Sequence, residues 1–140
     1  MRRSSGFFAT VLLPLCTVAL CLTLTPAAWA GPHAATALKH ATTAIEHGDQ
    51  MLLEGDKGNM DLLIKHAKET IKHDEEAINH AKEDLAQTRS DHVKQFIELT
   101  QKGSDHVREA IDHAKQGHND VALMHAMAGM KDLREALGHL

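Results

Sequence analysis

Imidazole side chains carry whatever chemistry this chain can do. Its 140 residues include twelve His, several times ordinary usage, and five of them sit in nearly the same wording. The copies are Ala37-Leu38-Lys39-His40-Ala41, Leu63-Ile64-Lys65-His66-Ala67, Ala77-Ile78-Asn79-His80-Ala81, Ala110-Ile111-Asp112-His113-Ala114 and Ala122-Leu123-Met124-His125-Ala126, with degenerate copies ending at His47, His73 and His139. The phrase recurs every seven residues, a helical period. In phase, the slots read His33, His40, His47, Glu54; His66, His73, His80, Gln87; His92, Leu99, His106, His113; His118, His125, Asp132, His139. Histidine scattered along a solvated helix would not keep one phase so consistently, whereas a set of metal ligands would.

Carboxylates add to the set. His66, Glu69, His73, Glu76, His80 and Glu83 alternate at steps of three and four, and Glu109 stands three after His106. Residues at those steps are neighbours on one helix face. Two His seven apart lie about 10.5 Å distant along the axis, too far to share an ion, so this pattern predicts several overlapping partial sites rather than one cage. Imidazole with carboxylate and water suits divalent Cu, Ni and Zn, and an open set of this kind follows the Irving-Williams order, with Cu(II) tightest and Ni(II) or Zn(II) also accommodated. Binding needs neutral imidazole, whose reference pKa is about 6.5, so mild acid should release the ions. Met124, Met127 and Met130 are spaced by three and could hold Cu(I), but Met is a common core filler and Met130 falls on the apolar seam. Gly31-Pro32-His33 places a His third from an expected new amino terminus, yet Pro32 has no N–H to give to a square-planar copper site.

The elements that must position these side chains are helices. The aliphatic residue two before each His and the Ala one after it form one apolar seam, heptad positions a and d, which leaves the His at c, on the flank turned away from the seam. Register slips mark the turns. The first helix is expected at about 33–54, begun by Pro32 and ended as Gly48, Gly55 and Gly58 accumulate. The second covers 60–88 with Asn59 as N-cap, and Asp74 breaks its seam without an evident reason. The third covers 91–116, with a kink, or else a break, at Gly103-Ser104, and Gly117 ends it. The fourth covers 119–138. The fold class is therefore all-α, an antiparallel four-helix bundle, with a thin, Ala-rich core.

Residues 1–30 differ in kind. Arg2 and Arg3, an apolar run from Phe7 to about Leu24, then Ala28-Trp29-Ala30 read as a signal peptide cut after Ala30, which predicts export to the periplasm and a mature domain of residues 31–140 with no membrane attachment. Both cysteines leave with the leader, so no thiolate is offered. Of 15 basic residues two are lost, leaving 13 against 19 acidic ones, a formal charge of −6, which disfavours nucleic acid as a partner. The mature chain is expected to be a monomer, with metal-bridged association as the other arrangement.

Signatures of catalysis are missing: no Glu-x-x-His of di-iron bundles, no Cys-x-x-Cys-His for covalent haem, and no nucleophilic Cys. Haem between the helices is not expected, because the His lie outside the seam. The phrases Ala37 to Gly48, Asp61 to Glu69 and His106 to His118 resemble the small metal-binding protein (SmbP) family of short, exported, His-rich bundles. That resemblance implies a periplasmic four-helix bundle that binds several divalent ions, copper prominently, and scavenges or buffers them through the in-phase His. Leu99 and Gln87 stand where His would be expected. The competing reading is a pH-responsive interaction module, in which the His charge together near pH 6 and change the bundle's associations.

Overall fold

The computed structural model describes residues 32–140; the expected leader lies outside them. Four helices follow in order, α1 (Pro32–Asp56), α2 (Met60–Thr88), α3 (Asp91–Lys115) and α4 (Asn119–Leu137). Pro32 opens α1, where its missing N–H and fixed φ suit a first helical turn. Packing runs α1 on α2 and α3 on α4, with smaller α2–α3 and α1–α4 faces, so the molecule is a four-helix bundle made of two tight hairpins laid side by side. Among the described residues no helix is long and apolar enough to cross a membrane.

Both hairpins turn in the same way. Gly58 (φ +76°) and Gly117 (φ +78°) take the left-handed conformation that suits glycine. The N–H groups of Gly58 and Asn59 return to the carbonyls of Gly55 and Glu54, and those of Gly117 and His118 to Ala114 and His113, the paired bonds of a Schellman stop. Asn59 does not cap α2 with its side chain. Its Nδ2 instead donates to Glu54 Oε2 at 2.6 Å, tying the two ends of the turn. Between the hairpins, α2 ends on Arg89 in the left-handed region, and Ser90 caps α3 by accepting from the Val93 N–H.

Gly48 and Gly55 do not terminate α1. They lie buried inside it, because a side chain from another helix occupies the space a Cβ would need: Met130 at Gly48, and Leu63 with Leu123 at Gly55. Gly103-Ser104 likewise does not break α3. Gly103 meets Gly129 of α4 so closely that a Cβ on either would come within about 3 Å of the other's carbonyl oxygen. The glycine is there for close approach.

The buried stripe is rotated from the expected a/d seam. The Ala one after each His is buried, as at Ala41, Ala67, Ala81, Ala114 and Ala126, but so is the residue three before each slot: Ala37, Ala44, Met51, Leu63, Thr70, Ala77, Phe96, Gly103, Ala110, Ala122, Gly129 and Ala136. The aliphatic residue two before is less evenly covered: Ile78, Ile97, Ile111 and Met130 are buried, but Ile64, Ile71 and Leu85 are half-buried and Leu38 is 44% exposed. At 100° per residue the stripe widens toward the His, its centre moving by roughly 50° at most. The largest fully buried side chains are Phe96, Met51, Leu63 and Met130, each contributing roughly 2–3 kcal/mol.

A polar layer separates two apolar clusters. One surrounds Met51, Leu63, Val107 and Met130, the other Ala77, Ala81, Phe96 and Ala136. Between them lie the fully buried Thr70, Asp74, Thr100 and Ser104. The Ser104 hydroxyl donates to Asp74 Oδ2 at 2.7 Å, and this bond across the α2–α3 face accounts for the polar residue in the seam.

Candidate metal centre

Because the buried stripe is rotated, the imidazoles do not point away from the helix contact. They line its edge. Ten of the twelve are half-buried, and only His92 and His118 are exposed. The exterior flank expected from the a/d seam is corrected on this point: Ala, Gly and Thr at the contact let the two backbones of each hairpin approach, so that rings from opposite helices meet over the top of the seam.

Across α1 and α2 the rings interleave. His33 stacks on His80, His40 on both His80 and His73, and His47 on His73 with His66 beside it, at centroid separations of 5.6–6.1 Å. Across α3 and α4, His106 faces His125, His113 faces both His125 and His118, and His92 faces His139. In each hairpin the two residue numbers of a directly opposed pair have a constant sum, as antiparallel chains require. By the same rule Leu99 falls opposite Asp132, and Glu54 opposite Asn59, which is the hydrogen-bonded pair of the turn.

A Glu completes three of these pairs in the same way. Glu83 Oε2 lies 2.7 Å from His33 Nδ1 and 3.5 Å from His80 Nδ1. Glu76 Oε2 lies 2.8 Å from His40 Nδ1 and 3.0 Å from His73 Nδ1. Glu109 Oε2 lies 2.8 Å from His125 Nδ1 and 3.2 Å from His106 Nδ1. Each Glu stands one turn after a His on its own helix, and the second His comes from the helix opposite. Together with His47, Glu69 and His73, these are four groups whose ligand atoms lie within 4.8 Å of one another. The ligand sets are thus shared between two helices, not arranged along one.

The remaining expected ligands stand outside these groups. His66, His92, His113, His118 and His139 meet other His rings. Asp132 is buried, held by Lys102 Nζ at 3.1 Å, with His106 Nε2 at 3.7 Å from its other oxygen. Met130 is fully buried while Met124 and Met127 are exposed, so the three methionines do not form one face. Hydrogen bonds from Lys57 and Asn59 hold the Glu54 carboxyl below its ordinary range, which suits a turn clasp.

The donor set fits a divalent transition ion. Imidazole nitrogen and carboxylate oxygen converge from partly covered positions, and the Nδ1 atoms of His66, His113 and His139 are buried with no hydrogen-bond partner among the described residues, which is costly unless something else binds them. A family model described as small metal-binding protein matches residues 9–136. The chain belongs to the small metal-binding protein family. No curated protein matches it. Membership agrees with the resemblance read from the repeats and with a metal-binding role, and the four-helix bundle carries the His/carboxylate groups that could hold the ions.

The His positions were legible from their phase, but not which His meets which. A usable signal lay in the junctions: His47 to His66 and His113 to His118 fold about short glycine turns, so pairing residues outward from each turn reproduces every opposed pair. Asp74 had no such signal, its partner Ser104 being thirty residues away.

Proposed function

We propose that the protein is a periplasmic metal-ion buffer that takes up Cu(II) most tightly, and Ni(II) or Zn(II) less so, through His/Glu groups set across each hairpin. The observation that carries this reading is the threefold recurrence of one Glu oxygen facing two imidazoles from opposed helices. A fold needs no such repetition in thinly covered positions, whereas ion capture does. Two imidazoles and a carboxylate leave room for water in the coordination sphere, which favours exchange over permanent retention, and the half-exposed position lets ions enter without opening the bundle.

Residues 31–140, titrated calorimetrically with Cu(II), Ni(II) and Zn(II) in competition, test it. Several ions per chain with Cu(II) displacing the others are expected; one weak ion, or none, overturns the reading. Export is tested separately by finding the amino terminus of the cell-derived protein at Gly31.

A further inference from the structure

Three of the four candidate groups lie on the α1/α2 hairpin, and two of them need the same side chain. His73 belongs with His40 and Glu76, and also with His47 and Glu69. The first group is a direct rung of the ladder; the second is a diagonal, one step toward the Gly58 turn. His73 is covered on both sides, by His40 at 5.7 Å and by His47 at 5.6 Å, with the His47 and His73 rings within 6° of parallel. The third group, His33 with His80 and Glu83, shares none of its ligands with either.

We infer that the two groups built on His73 form one bistable site for a single divalent transition-metal cation, which sits either with His40 and Glu76 or with His47 and Glu69 while His73 stays bound. This rests on the metal-binding reading above. A second cation entering the neighbouring group would have to strip His73 from the first or force the ring to bridge two ions by giving up its remaining ring proton. Two dications about one ring apart also repel. Both effects set occupancy of one group against occupancy of the other, a negative coupling in the thermodynamic sense. The α1/α2 hairpin therefore holds two ions although it presents three groups.

His66 is the residue that could relieve the competition, since it lies opposite His47 and Glu69 follows it by one turn. Its ring is farther from His47 than that of His73, 6.0 Å against 5.6 Å, and tilted by 31°. The geometry thus assigns the diagonal group to His73. An ion that moves between the two groups keeps one ligand throughout, which gives the hairpin a route for passing cargo along its length.

The test uses Cu(II) on the full mature chain, counting tightly bound ions by equilibrium dialysis and reading the bound ions by electron paramagnetic resonance, with helix content checked by circular dichroism. H40Q and H47Q should each retain the wild-type count, with affinity at this site lowered about twofold if the two groups are equal. The H40Q/H47Q double variant should lose one ion, and H73Q should also lose one rather than two. Loss of one ion by each of H40Q and H47Q, loss of two by H73Q, a spin-coupled pair of copper ions, or an extra ion abolished by H66Q would overturn the inference. Absence of any tight ion in the wild type would instead overturn the metal-binding reading itself.

Discussion

The two hairpins carry the same repeat and yet differ as ion-binding surfaces. In α1/α2 the His ladder is continuous from His33 to His66, and Glu69, Glu76 and Glu83 run beside it, with only Lys72 near one of them, 4.0 Å from Glu69 Oε2. In α3/α4 the middle rung is Leu99 opposite Asp132. Lys102 already holds that carboxylate, and His92 with His139 is left isolated at the far end, so a single three-ligand group, His106, Glu109 and His125, remains. Phase alone therefore does not make a site. A slot counts when its opposite number is also a ligand and a carboxylate lies within reach of both rings, and a lysine already on that carboxylate competes with an ion for it.

The largest expected effect cuts the ladder on one side. Replacing His33, His40 and His47 together by Gln leaves every α1/α2 group with a single imidazole and should weaken Cu(II) uptake there by at least ~100-fold, since even losing a ligand's supporting partner costs 10–100-fold. H106Q/H125Q should remove only the α3/α4 ion. If dialysis showed equal losses from the two changes, the hairpins would not differ as described.

Asp74 checks that the contrast belongs to the grooves and not to the bundle as a whole. Burial pushes its carboxyl up to about 7, with the Ser104 hydrogen bond and Arg108 opposing the shift. Because the folded pKa lies above the ordinary 3.8, the unfolded chain ionises first as pH rises, and stability falls between about pH 4 and pH 7, by up to roughly 4 kcal/mol at 1.36 kcal/mol per unit. D74N should remove most of that slope, raising stability at pH 8 in chelator and changing little at pH 3.5. Chemical denaturation at the two pH values reads this directly, while the Cu(II) count should stay as in the wild type. A lost ion would mean that the α2–α3 face takes part in binding.

The smallest effect sharpens the comparison from the other side. K102M should free the Asp132 carboxylate beside His106 and tighten the α3/α4 site by about tenfold, or ~1.4 kcal/mol. Competition against a copper chelator measures it, and an unchanged affinity would show that Lys102 does not set the difference.

Much of this molecule could be read from its residues. Four helices, their turns and the phase of the His followed from a seven-residue period and from Pro32 and Gly117 acting as start and stop. What escaped was the rotation of each helix. Leu38 is more hydrophobic than Ala37, and a reading by hydrophobicity places the larger residue at the centre. The structure instead buries Ala37 and leaves Leu38 44% exposed, because close backbone approach recovers in contact what Ala lacks in area. The sequence places Gly48 and Gly55 among the glycines that close α1 and Gly103 at a kink or break for a related reason: a glycine that ends or bends a helix and one that admits a neighbour's side chain look alike until the neighbour is known.

Alanine at the helix contact also sets how the protein could change its holding capacity. Since the helices of a hairpin touch through residues too small to demand an individual partner, seven residues added to both arms at the open end would extend the ladder by one rung, about 10.5 Å farther along, without repacking those already present. Ion-binding capacity in such a bundle would therefore scale with the number of times the phrase is repeated.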